Sequence, residues 1–429
     1  MNQYESQAMR EILLKSGFRE CITKDIADIY ILNTCTVTGK ADKESRRWLG
    51  LFHKANPNAR IVVTGCYVEE GADDIKYLPG ISHIMKNSEK ARIAEILGET
   101  GTADKAARRP AFGPPALAIS DFKNHAKAFV KIQDGCENFC SYCKVPFVRG
   151  RMISRPIADI VEEVNALVNN GFQEIVLTGI CLGAWGRDFA SAALASEMGI
   201  DSMNLVDILR ELDKMPDSFR VRLSSIEPRY VSDDLVDYIS KHKRICRHLH
   251  IPLQSGDDTV LAAMNRPYTS GDYKALISKI RERVEGISLT TDVLVGFPGE
   301  SDANFKNTED FIKEMLPSRV HLFSFSKRKG TRAYDMAGAV KDETIKKRYN
   351  MLKAASLSAS YLYRRRSIGQ TLSVLVETRR DKNSGLLTGY SDNYIKVYFE
   401  GPDKLMKGLA PVRITEANLL YTFGEYESR

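Results

Sequence analysis

The chain has 429 residues, 43% of them hydrophobic and 27% charged, with a formal net charge of +7 at pH 7. This length predicts two to four domains, each with enough apolar residues to bury a core. There is no apolar run of membrane-spanning length and no signal-peptide pattern, which excludes a membrane protein and predicts a cytoplasmic location. In that compartment the 8 cysteines are expected to be free thiols or metal ligands. The mild positive charge permits a nucleic-acid partner without requiring one.

Residues 1–97 alternate between helical and strand patterns. Helices are predicted from Glu5 to Ser16 and from Lys40 to Lys54, and strands over Asp28 to Asn33, Arg60 to Val63 and near His83 to Met85. This alternation predicts a doubly wound parallel sheet, in which ligands bind at the carboxyl ends of the strands. Cys35 and Cys66 directly follow two of the strands, so we expect them on one edge, where they could share a metal site. Two buried strand-end thiols are an equally good interpretation.

Residues 98–125 are predicted to be an extended, mobile linker. They contain Gly113, Pro114 and Pro115 and have no periodic apolar pattern.

Three cysteines follow the next predicted strand. Cys136, Cys140 and Cys143 have the spacing C-x3-C-x2-C, with Tyr142 before the last of them. Three thiolates in one loop can hold an iron–sulfur cluster, and four irons with three cysteines leave one iron open to a substrate or cofactor. A zinc loop is the alternative. Structural zinc sites usually have four ligands in two pairs, and no fourth Cys or His follows at a suitable spacing.

Residues 126–366 contain six predicted strands separated by helical patterns. The strands begin near Ala128, Glu174, Arg220, Leu249, Leu289 and Val320. Six βα units predict a parallel barrel or an open three-quarter barrel, with its site at the carboxyl ends of the strands. The cysteine loop follows the first strand, and the next four loops carry Gly179, Ser225 and Glu227, Gln254, and Gly296. Each glycine could equally be an ordinary turn residue.

Three further residues of this domain carry open or structural predictions. Asp292 lies in an otherwise apolar strand and is either a ligand contact or a satisfied buried polar group. Cys181 is predicted to be a spectator thiol, and Cys246 a core residue.

Residues 370–427 contain four or five short strand patterns, which predict a small antiparallel β-barrel of the OB type. Basic and aromatic residues are mixed there, as on RNA-binding surfaces; they are Arg379, Arg380, Tyr390, Tyr394, Lys396 and Tyr398. Aromatic residues at strand spacing also fill cores, so part of this set could be structural. Arg149 and Arg151 follow the cysteine loop and are further candidates for RNA phosphates, with a solvated charged loop as the alternative.

The motif C-x3-C-x-Tyr-C directly after a strand resembles the radical S-adenosylmethionine (SAM) superfamily. The resemblance implies that Cys136, Cys140 and Cys143 hold a [4Fe-4S] cluster whose open iron binds SAM, and that SAM cleavage yields a 5′-deoxyadenosyl radical. Tyr142, Gly179, Ser225, Glu227, Gln254 and Gly296 match the SAM-binding positions of the superfamily in place, and more weakly in residue type.

Asn33-Thr34-Cys35, Lys43 to Arg47 and Thr64-Gly65-Cys66 resemble the N-terminal domain of the methylthiotransferases, which are radical SAM enzymes. The family implies a second, auxiliary [4Fe-4S] cluster held by three cysteines. The third lies on a strand before a segment like Asn2 to Ser6, and Cys21 does not match that position. The sequence is therefore either shortened at its N-terminus or has lost a ligand. We expect the former, because a sheet that lacks a central strand leaves its neighbours without hydrogen-bond partners.

The C-terminal segment resembles the TRAM domain, which binds tRNA in this family. The segments Asn2 to Ser6, Lys131 to Cys136 and Phe325 to Thr331 are most similar to the subfamily that methylthiolates N6-threonylcarbamoyladenosine. The implied reaction adds a methylthio group at C2 of that base, next to the anticodon. One SAM supplies the methyl group, a second supplies the radical, and a flavodoxin or ferredoxin supplies electrons. The alternatives are methylthiolation of isopentenyladenosine in tRNA or of an aspartate of ribosomal protein S12, and an RNA-binding protein with an inactive auxiliary site.

Overall fold

The structure is a computed structural model that describes residues 1–21, 26–36, 39–69, 75, 77–98, 117–189 and 203–428. It divides into two compact units that interleave along the chain. The first unit comprises Met1–Asp121, Asp134–Arg155 and Ser326–Tyr334. The second comprises Phe122–Gln133, Pro156–Phe325 and Asp335–Arg429.

The first unit is built on a parallel sheet of three strands in the order β1-β2-β3. Its elements are α1 (Asn2–Lys15), β1 (Ile29–Thr34), α2 (Gly39–Ala55), β2 (Arg60–Gly65), β3 (Ile81–Met85), a 3-10 turn (Asn87–Arg92), α3 (Ile93–Ile96), α4 (Val145–Arg149) and β5 (Ile153–Ser154).

Helices cover both faces of this sheet because its central strand is apolar on both sides. Ile61 and Val63 of β2 pack with Leu49 of α2, whereas Val62 packs in a separate cluster with Met9 of α1. A continuous apolar run is expected of a parallel strand buried on both faces. The predicted doubly wound sheet is confirmed, with element ends within a few residues of the predicted ones.

The second unit contains the six strands predicted for a parallel barrel. They are β4 (Ala128–Asp134), β6 (Glu174–Gly179), β7 (Arg220–Leu223), β8 (His248–His250), β9 (Ser288–Val295) and β10 (Arg319–Ser324). The helices between them are α5 (Ile157–Asn169), α6 (Leu205–Asp213), α7 (Asp233–Lys241), α8 (Asp258–Ala263), α9 (Ser270–Arg283) and α10 (Asp302–Met315).

The six strands follow chain order in a parallel arrangement. β4, β6 and β7 form one sheet and β8, β9 and β10 another. Single parallel bridges, Val221 to Ile245 and Ser225 to His250, join the two. Among the described residues no pairing joins β4 to β10. The prediction of an open barrel of six βα units is therefore confirmed.

A long helix that was not predicted from the sequence, α11 (Asp342–Arg365), follows the barrel. Its buried residues include Ile345, Leu352 and Ala359, which recur every seven residues. Basic residues between them obscure this narrow apolar stripe, which is one face of a helix packed against neighbours.

The C-terminal region forms a closed barrel in the strand order β11-β12-β13-β15-β14. The strands are β11 (Thr371–Val376), β12 (Leu387–Ser391), β13 (Lys396–Glu400), β14 (Leu409–Ala417) and β15 (Thr422–Tyr426). Alternate residues such as Leu372, Val374 and Val397 fill its core. The small β-barrel is confirmed, with β13 and β15 as a parallel pair within it.

Two buried arginines attach this small barrel to the amino ends of β6 and β7. Glu174 is the first residue of β6 and pairs with both Arg220 and Arg222. Arg220 donates to the backbone carbonyls of Ser373 and Tyr390 at 2.8 and 2.9 Å. Arg222 donates to that of Asp392 at 2.8 Å. Every buried charge of this group has a partner, as burial requires.

Most of the predicted linker, residues 99–116, lies outside the described residues. Its described end is bound to α1: the Glu11 carboxylate accepts hydrogen bonds from the backbone nitrogens of Ser120 and Asp121 at 2.9 and 3.1 Å.

Candidate functional site

The cysteine loop begins with a turn that requires glycine. Gly135 has φ +74°, and a Cβ there would overlap the carbonyl oxygen of Arg151. The loop is closed by hydrogen bonds from the Cys136 nitrogen to the Gly150 oxygen at 3.1 Å and from the Cys143 nitrogen to the Cys140 oxygen at 2.9 Å. Cys136 is buried, whereas Cys140 and Cys143 are half-buried. Tyr142 lies beside them and is also half-buried.

The other predicted cysteine pair lies at one edge of the first unit's sheet. β1 and β2 are adjacent and parallel, and their register pairs Thr34 with Gly65. Cys35 and Cys66 each follow one of these paired residues, as expected from the sequence. Gly65 has φ +100°, and a Cβ there would overlap the Thr34 carbonyl oxygen, so the two strand ends approach as closely as the missing side chain allows.

Cys66 is buried beside a cation. Burial raises the pKa of its thiol, and the Arg149 guanidinium offsets part of that rise. Arg149 donates its Nε–H to the Cys66 sulfur at 3.0 Å.

Arg149 does not fit the predicted contact with RNA. Its side chain is only 2% exposed and forms ion pairs with Glu5 and Asp134. A guanidinium that is buried and paired in this way is not presented to a phosphate. Arg151, two residues on, is exposed and remains a candidate.

A second arginine follows β10 and reaches the segment after Cys35. Arg328 donates to the Thr36 carbonyl at 2.7 Å and to the Thr36 hydroxyl at 2.6 Å. It also pairs with Asp42 at 2.8 Å. Lys144 is buried nearby, and the pKa of its amine is lowered by burial and by Arg328.

In the second unit, four predicted SAM-contact residues lie in loops that directly follow strands of the barrel, and Gly179 is the last residue of its strand. Gly179 ends β6 beside Gln133, whose amide oxygen accepts from the Cys181 nitrogen at 2.7 Å. Ser225 bridges to His250, and Gln254 has a left-handed backbone with φ +69°. Backbone of this kind on a residue other than glycine is common at ligand sites.

Two of these loops are held by ion pairs, one partly buried and one buried. Glu227 is paired with Arg266. The nitrogen of Gly296 donates to Glu300 at 2.9 Å, and Glu300 pairs with Arg348 at 2.7 Å. Burial raises the pKa of the Glu300 carboxyl, and both partners oppose that rise. The sequence offers no local signal for these pairs, because the partners lie 39 and 48 residues apart along the chain.

Asp292 has a partner in the barrel. Its carboxylate lies 3.2 Å from Nε2 of His250, whose Nδ1 lies 2.9 Å from the Thr290 hydroxyl. The structure therefore shows how this polar residue is accommodated. Gln133 and His250 are the polar barrel residues that sequence reasoning overlooked. Their partners, Cys181 for Gln133 and Asp292 and Thr290 for His250, lie about forty or more residues away in the chain, so no local pattern indicates them.

The RNA-binding candidates of the small barrel separate into two groups. Tyr390 and Tyr394 stack on each other, and His248 and Lys127 cover them, so these tyrosines are structural. Arg380 is held by Asp403 and by backbone carbonyls.

A mixed basic and aromatic surface remains. Lys396 lies over the Tyr398 ring at 4.7 Å. Tyr398 contacts Tyr421 and Phe423 with centroids 5.3 and 5.9 Å apart. Arg379 is exposed. Tyr421 and Phe423 were not predicted as candidates, and only their place in β15 and just before it brings them to Tyr398.

Three family models match successive parts of the chain. They are Uncharacterized protein family UPF0004 over residues 1–86, the Radical SAM superfamily over residues 130–312 and the TRAM domain over residues 365–426. Among solved structures, the radical S-adenosylmethionine methyltransferase TsrM from Kitasatospora setae aligns with a TM-score of 0.55 at 17% identity, covering 77% of this chain and 74% of that one. This likeness shows a shared fold only.

Curated relatives match almost end to end. The chain is 36% identical over 403 residues to "Threonylcarbamoyladenosine tRNA methylthiotransferase MtaB" of Thermotoga maritima, covering 94% of this chain and 89% of the relative. It is 32% identical to the protein of the same name from Bacillus subtilis, covering 99% and 94%. It is 33% identical to "tRNA-2-methylthio-N(6)-dimethylallyladenosine synthase" of Desulfitobacterium hafniense, covering 99% and 95%. The chain belongs to the radical SAM methylthiotransferase family.

The radical SAM domain implies a [4Fe-4S] cluster and SAM as cofactors, and the cysteine loop suits them. Three thiols lie on one closed loop, and the Ser141 hydroxyl between two of them is buried without a hydrogen-bond partner among the described residues. A buried hydroxyl without a hydrogen-bond partner raises the free energy of the folded protein unless a bound group accepts a hydrogen bond from it. In the described part of the chain, no three His, Cys, Asp or Glu side chains converge as a single metal ion would need. No helix there is long and apolar enough to cross a membrane.

Proposed function

We propose that this protein is a radical SAM methylthiotransferase that adds a methylthio group to C2 of N6-threonylcarbamoyladenosine, next to the anticodon of tRNA. The observation that carries the proposal is that two cysteine sites lie in one unit of a chain that aligns almost end to end with a relative of that name. Radical chemistry and sulfur donation need separate centres, and two sites of thiol ligands supply places for both.

The cluster that binds SAM would be held by Cys136, Cys140 and Cys143. An auxiliary cluster would take Cys35 and Cys66 as two of its ligands. Bound there, these groups supply electron transfer to SAM and a place for the sulfur that is donated. The protein's part is geometric: the Gly135 turn directs the loop, and the buried Ser141 hydroxyl would be available to donate to a group held by the loop.

The SAM molecule would lie against loops that follow strands of the barrel. Gly179, Gly296 and Tyr142 are proposed to lie along it, and Ser225, Glu227 and Gln254 to offer polar contacts. Gln133 of β4 supports this role, because its amide oxygen accepts a hydrogen bond from the Cys181 nitrogen and so fixes the loop after β6. Electrons would come from a flavodoxin or ferredoxin.

The tRNA is proposed to bind on the small barrel through Lys396, Tyr398 and the exposed Arg379, with Arg151 as a further phosphate contact. Cationic and aromatic side chains together bind backbone phosphates and stack unpaired bases. Arg380 is held by Asp403 and would shape this surface.

The test is nucleoside mass spectrometry of tRNA incubated with the reconstituted protein, SAM and a reductant without oxygen. One tRNA carries N6-threonylcarbamoyladenosine and a second carries N6-isopentenyladenosine. Methylthiolation of the first alone is the expected result. Methylthiolation of the second alone would reassign the substrate.

The matched control is Cys140→Ala, which removes one thiolate of the radical site. It should abolish 5′-deoxyadenosine formation, and continued SAM cleavage in this variant would reject the site assignment. Tight binding of tRNA with SAM cleavage but no methylthio product from either substrate would instead favour an RNA-binding protein with an inactive auxiliary site.

A further inference from the structure

Arg149 links three segments of the first unit. Its Nε–H donates to the Cys66 sulfur at 3.0 Å, next to the end of β2. One terminal nitrogen pairs with Glu5 of α1 and with Asp134, at 3.2 Å, at the start of the cysteine loop. The other donates to the Asn2 side chain at 3.2 Å. Glu5 also pairs with buried Lys90 at 2.5 Å, which completes a buried charge network.

Arg328 makes an independent link between the same two sites. It donates to the carbonyl and the hydroxyl of Thr36, the residue after Cys35. Its segment also donates from the Ala333 nitrogen to the Ser141 oxygen at 2.7 Å, between Cys140 and Cys143. The segment Ser326–Tyr334 thus contacts both Thr36, which follows Cys35, and Ser141, which follows Cys140.

These contacts are better explained by the relative positions they impose on their partners than by a gain in folding stability. Burying a charged group costs several kcal/mol, and a buried ion pair often stabilises a fold no more than apolar packing would. A guanidinium, however, presents five N–H donors in one rigid plane, so its partners are fixed relative to one another. Arg149 places that plane between Cys66 and Asp134 at the start of the cysteine loop, whereas Arg328 fixes its own segment to the residue after Cys35.

We propose that Arg149 and Arg328 are positioning residues that set the distance between the two cysteine sites, and that Arg149 also donates a hydrogen bond to the sulfur of Cys66. The inference rests on the proposed function. In that reaction the activated base must meet the sulfur donor, so this distance determines how often SAM cleavage ends in methylthiolated product. A displacement of about 1 Å can cost on the order of 100-fold in a positioned reaction.

The test compares Arg149→Lys and Arg328→Lys in the full chain after anaerobic reconstitution. Lysine keeps the positive charge but cannot make the planar set of contacts. We expect SAM cleavage to persist in both variants, while methylthiolated product per 5′-deoxyadenosine falls by about 10- to 100-fold, as for other residues that support metal ligands.

Redox titration followed by electron paramagnetic resonance separates the two roles. Hydrogen bonds to ligand sulfur help to set cluster potential. The Arg149→Lys variant should therefore have a more negative potential for the cluster bound at Cys66, because a donor to sulfur favours the reduced state. The Arg328→Lys variant should keep a potential closer to the wild-type value, since the contacts of Arg328 described above go to oxygen atoms of Thr36 and Asp42.

Arg92→Lys is the matched control. Arg92 belongs to the same unit, and its ion pair with Glu95 at 2.8 Å is about 60% exposed on both sides. It should behave as wild type. If the wild-type protein makes no methylthiolated product, the proposed function fails. If the wild type does, and both lysine variants match it in product ratio and potential, the inference is overturned.

If Arg149→Lys loses iron, its product ratio no longer tests the proposal. A second variant, which alters the loop contacts and keeps all the cysteines, then provides the test. Asp134→Asn removes one of the two carboxylates that pair with Arg149, at a position whose side chain is 23% exposed. Its amide oxygen can still accept from the Gly135 nitrogen, as the carboxylate does at 2.8 Å. We expect normal iron content and potential with a lower product ratio. A wild-type ratio in both Asp134→Asn and Arg328→Lys would refute the positioning role.

Discussion

At the scale of single residues, Gly135 determines whether the cysteine loop can close. Its positive φ and the nearby Arg151 carbonyl leave no room for a side chain. We predict that Gly135→Ala lowers the iron bound after reconstitution, because the loop must open to relieve the overlap. Iron and sulfide assays measure this directly.

Gly150→Ala is the appropriate comparison for this prediction. Gly150 has a similar φ of +68° in the same loop, but a Cβ there would meet nothing within 4 Å. With ψ −153° this residue lies in a region used almost only by glycine, so the variant should carry backbone strain of about 1–3 kcal/mol and retain iron. Equal iron loss in both variants would mean that backbone strain, rather than overlap with Arg151, controls the loop.

Residue spacing predicted which cysteines lie on one loop and which follow neighbouring strands, but it did not predict the contacts of the arginines near them. Arg149 and Arg151 form one basic run in the sequence, yet the first side chain is buried and the second residue exposed. The difference arises from Glu5, which lies 144 residues away along the chain. A local sequence pattern contains no information about ion pairs between residues that are this far apart in the chain.

At the scale of elements, β13 and the segment around the start of β15 bring Lys396, Tyr398 and Tyr421 together. We predict that Tyr398→Ala weakens tRNA binding by about 1–3 kcal/mol, the usual contribution of one stacked base. Lys396→Ala should lower the slope of log affinity against log salt by about 1, because one phosphate contact is lost. Fluorescence anisotropy with labelled tRNA at several salt concentrations measures both.

Lys274→Ala serves as the control for nonspecific charge. Lys274 lies on α9 and pairs with the exposed Glu314 of α10. Its removal should leave both affinity and salt slope near the wild-type values. If Lys274→Ala weakens binding as much as Lys396→Ala does, the surface on the small barrel is not the specific one.

Strands and helices of regular pattern were predicted well, whereas turns inside one apolar pattern were not. The stretch from Ala410 to Leu420 reads as one strand pattern in the sequence, but β14 ends at Ala417 and β15 starts at Thr422. The Asn418 side chain accepts from the nitrogens of Leu420 and Tyr421 at 3.0 and 2.8 Å. Such a side-chain turn substitutes for strand pairing, and a single Asn is a weak signal for it.

At the scale of the whole molecule, a single carboxylate, that of Glu174, pairs with both of the buried arginines that reach the small barrel. We predict that Glu174→Gln lowers the free energy of unfolding by about 3–5 kcal/mol, because it leaves two buried arginines without a counter-charge. Urea denaturation measures the change. Glu211→Gln, whose partner Lys214 is exposed, should shift it by no more than about 0.5 kcal/mol.

The same carboxylate predicts an acid limit to stability. Burial alone would raise the pKa of Glu174, but Arg222 and Arg220 lower it to about 2. The unfolded value is about 4.3, so the native state holds this group ionised at lower pH than the unfolded chain does. Its stabilisation is present above about pH 4.3 and is lost as pH falls towards 2. Urea midpoints between pH 6 and 3 should fall more steeply for the wild type than for Glu174→Gln.

The interleaving of the first unit along the chain has a consequence for biosynthesis. Arg328 contacts Thr36 across 292 residues, so the segment around Cys35 emerges from the ribosome long before the arginine that fixes it. At about 5–20 residues per second, the interval is about 15–60 s. During that time Cys35 and Cys66 have been synthesised, but the contact between Thr36 and Arg328 cannot yet form. Loading of the proposed auxiliary cluster at the edge they form is therefore expected to be a late event, completed only after most of the chain has been translated.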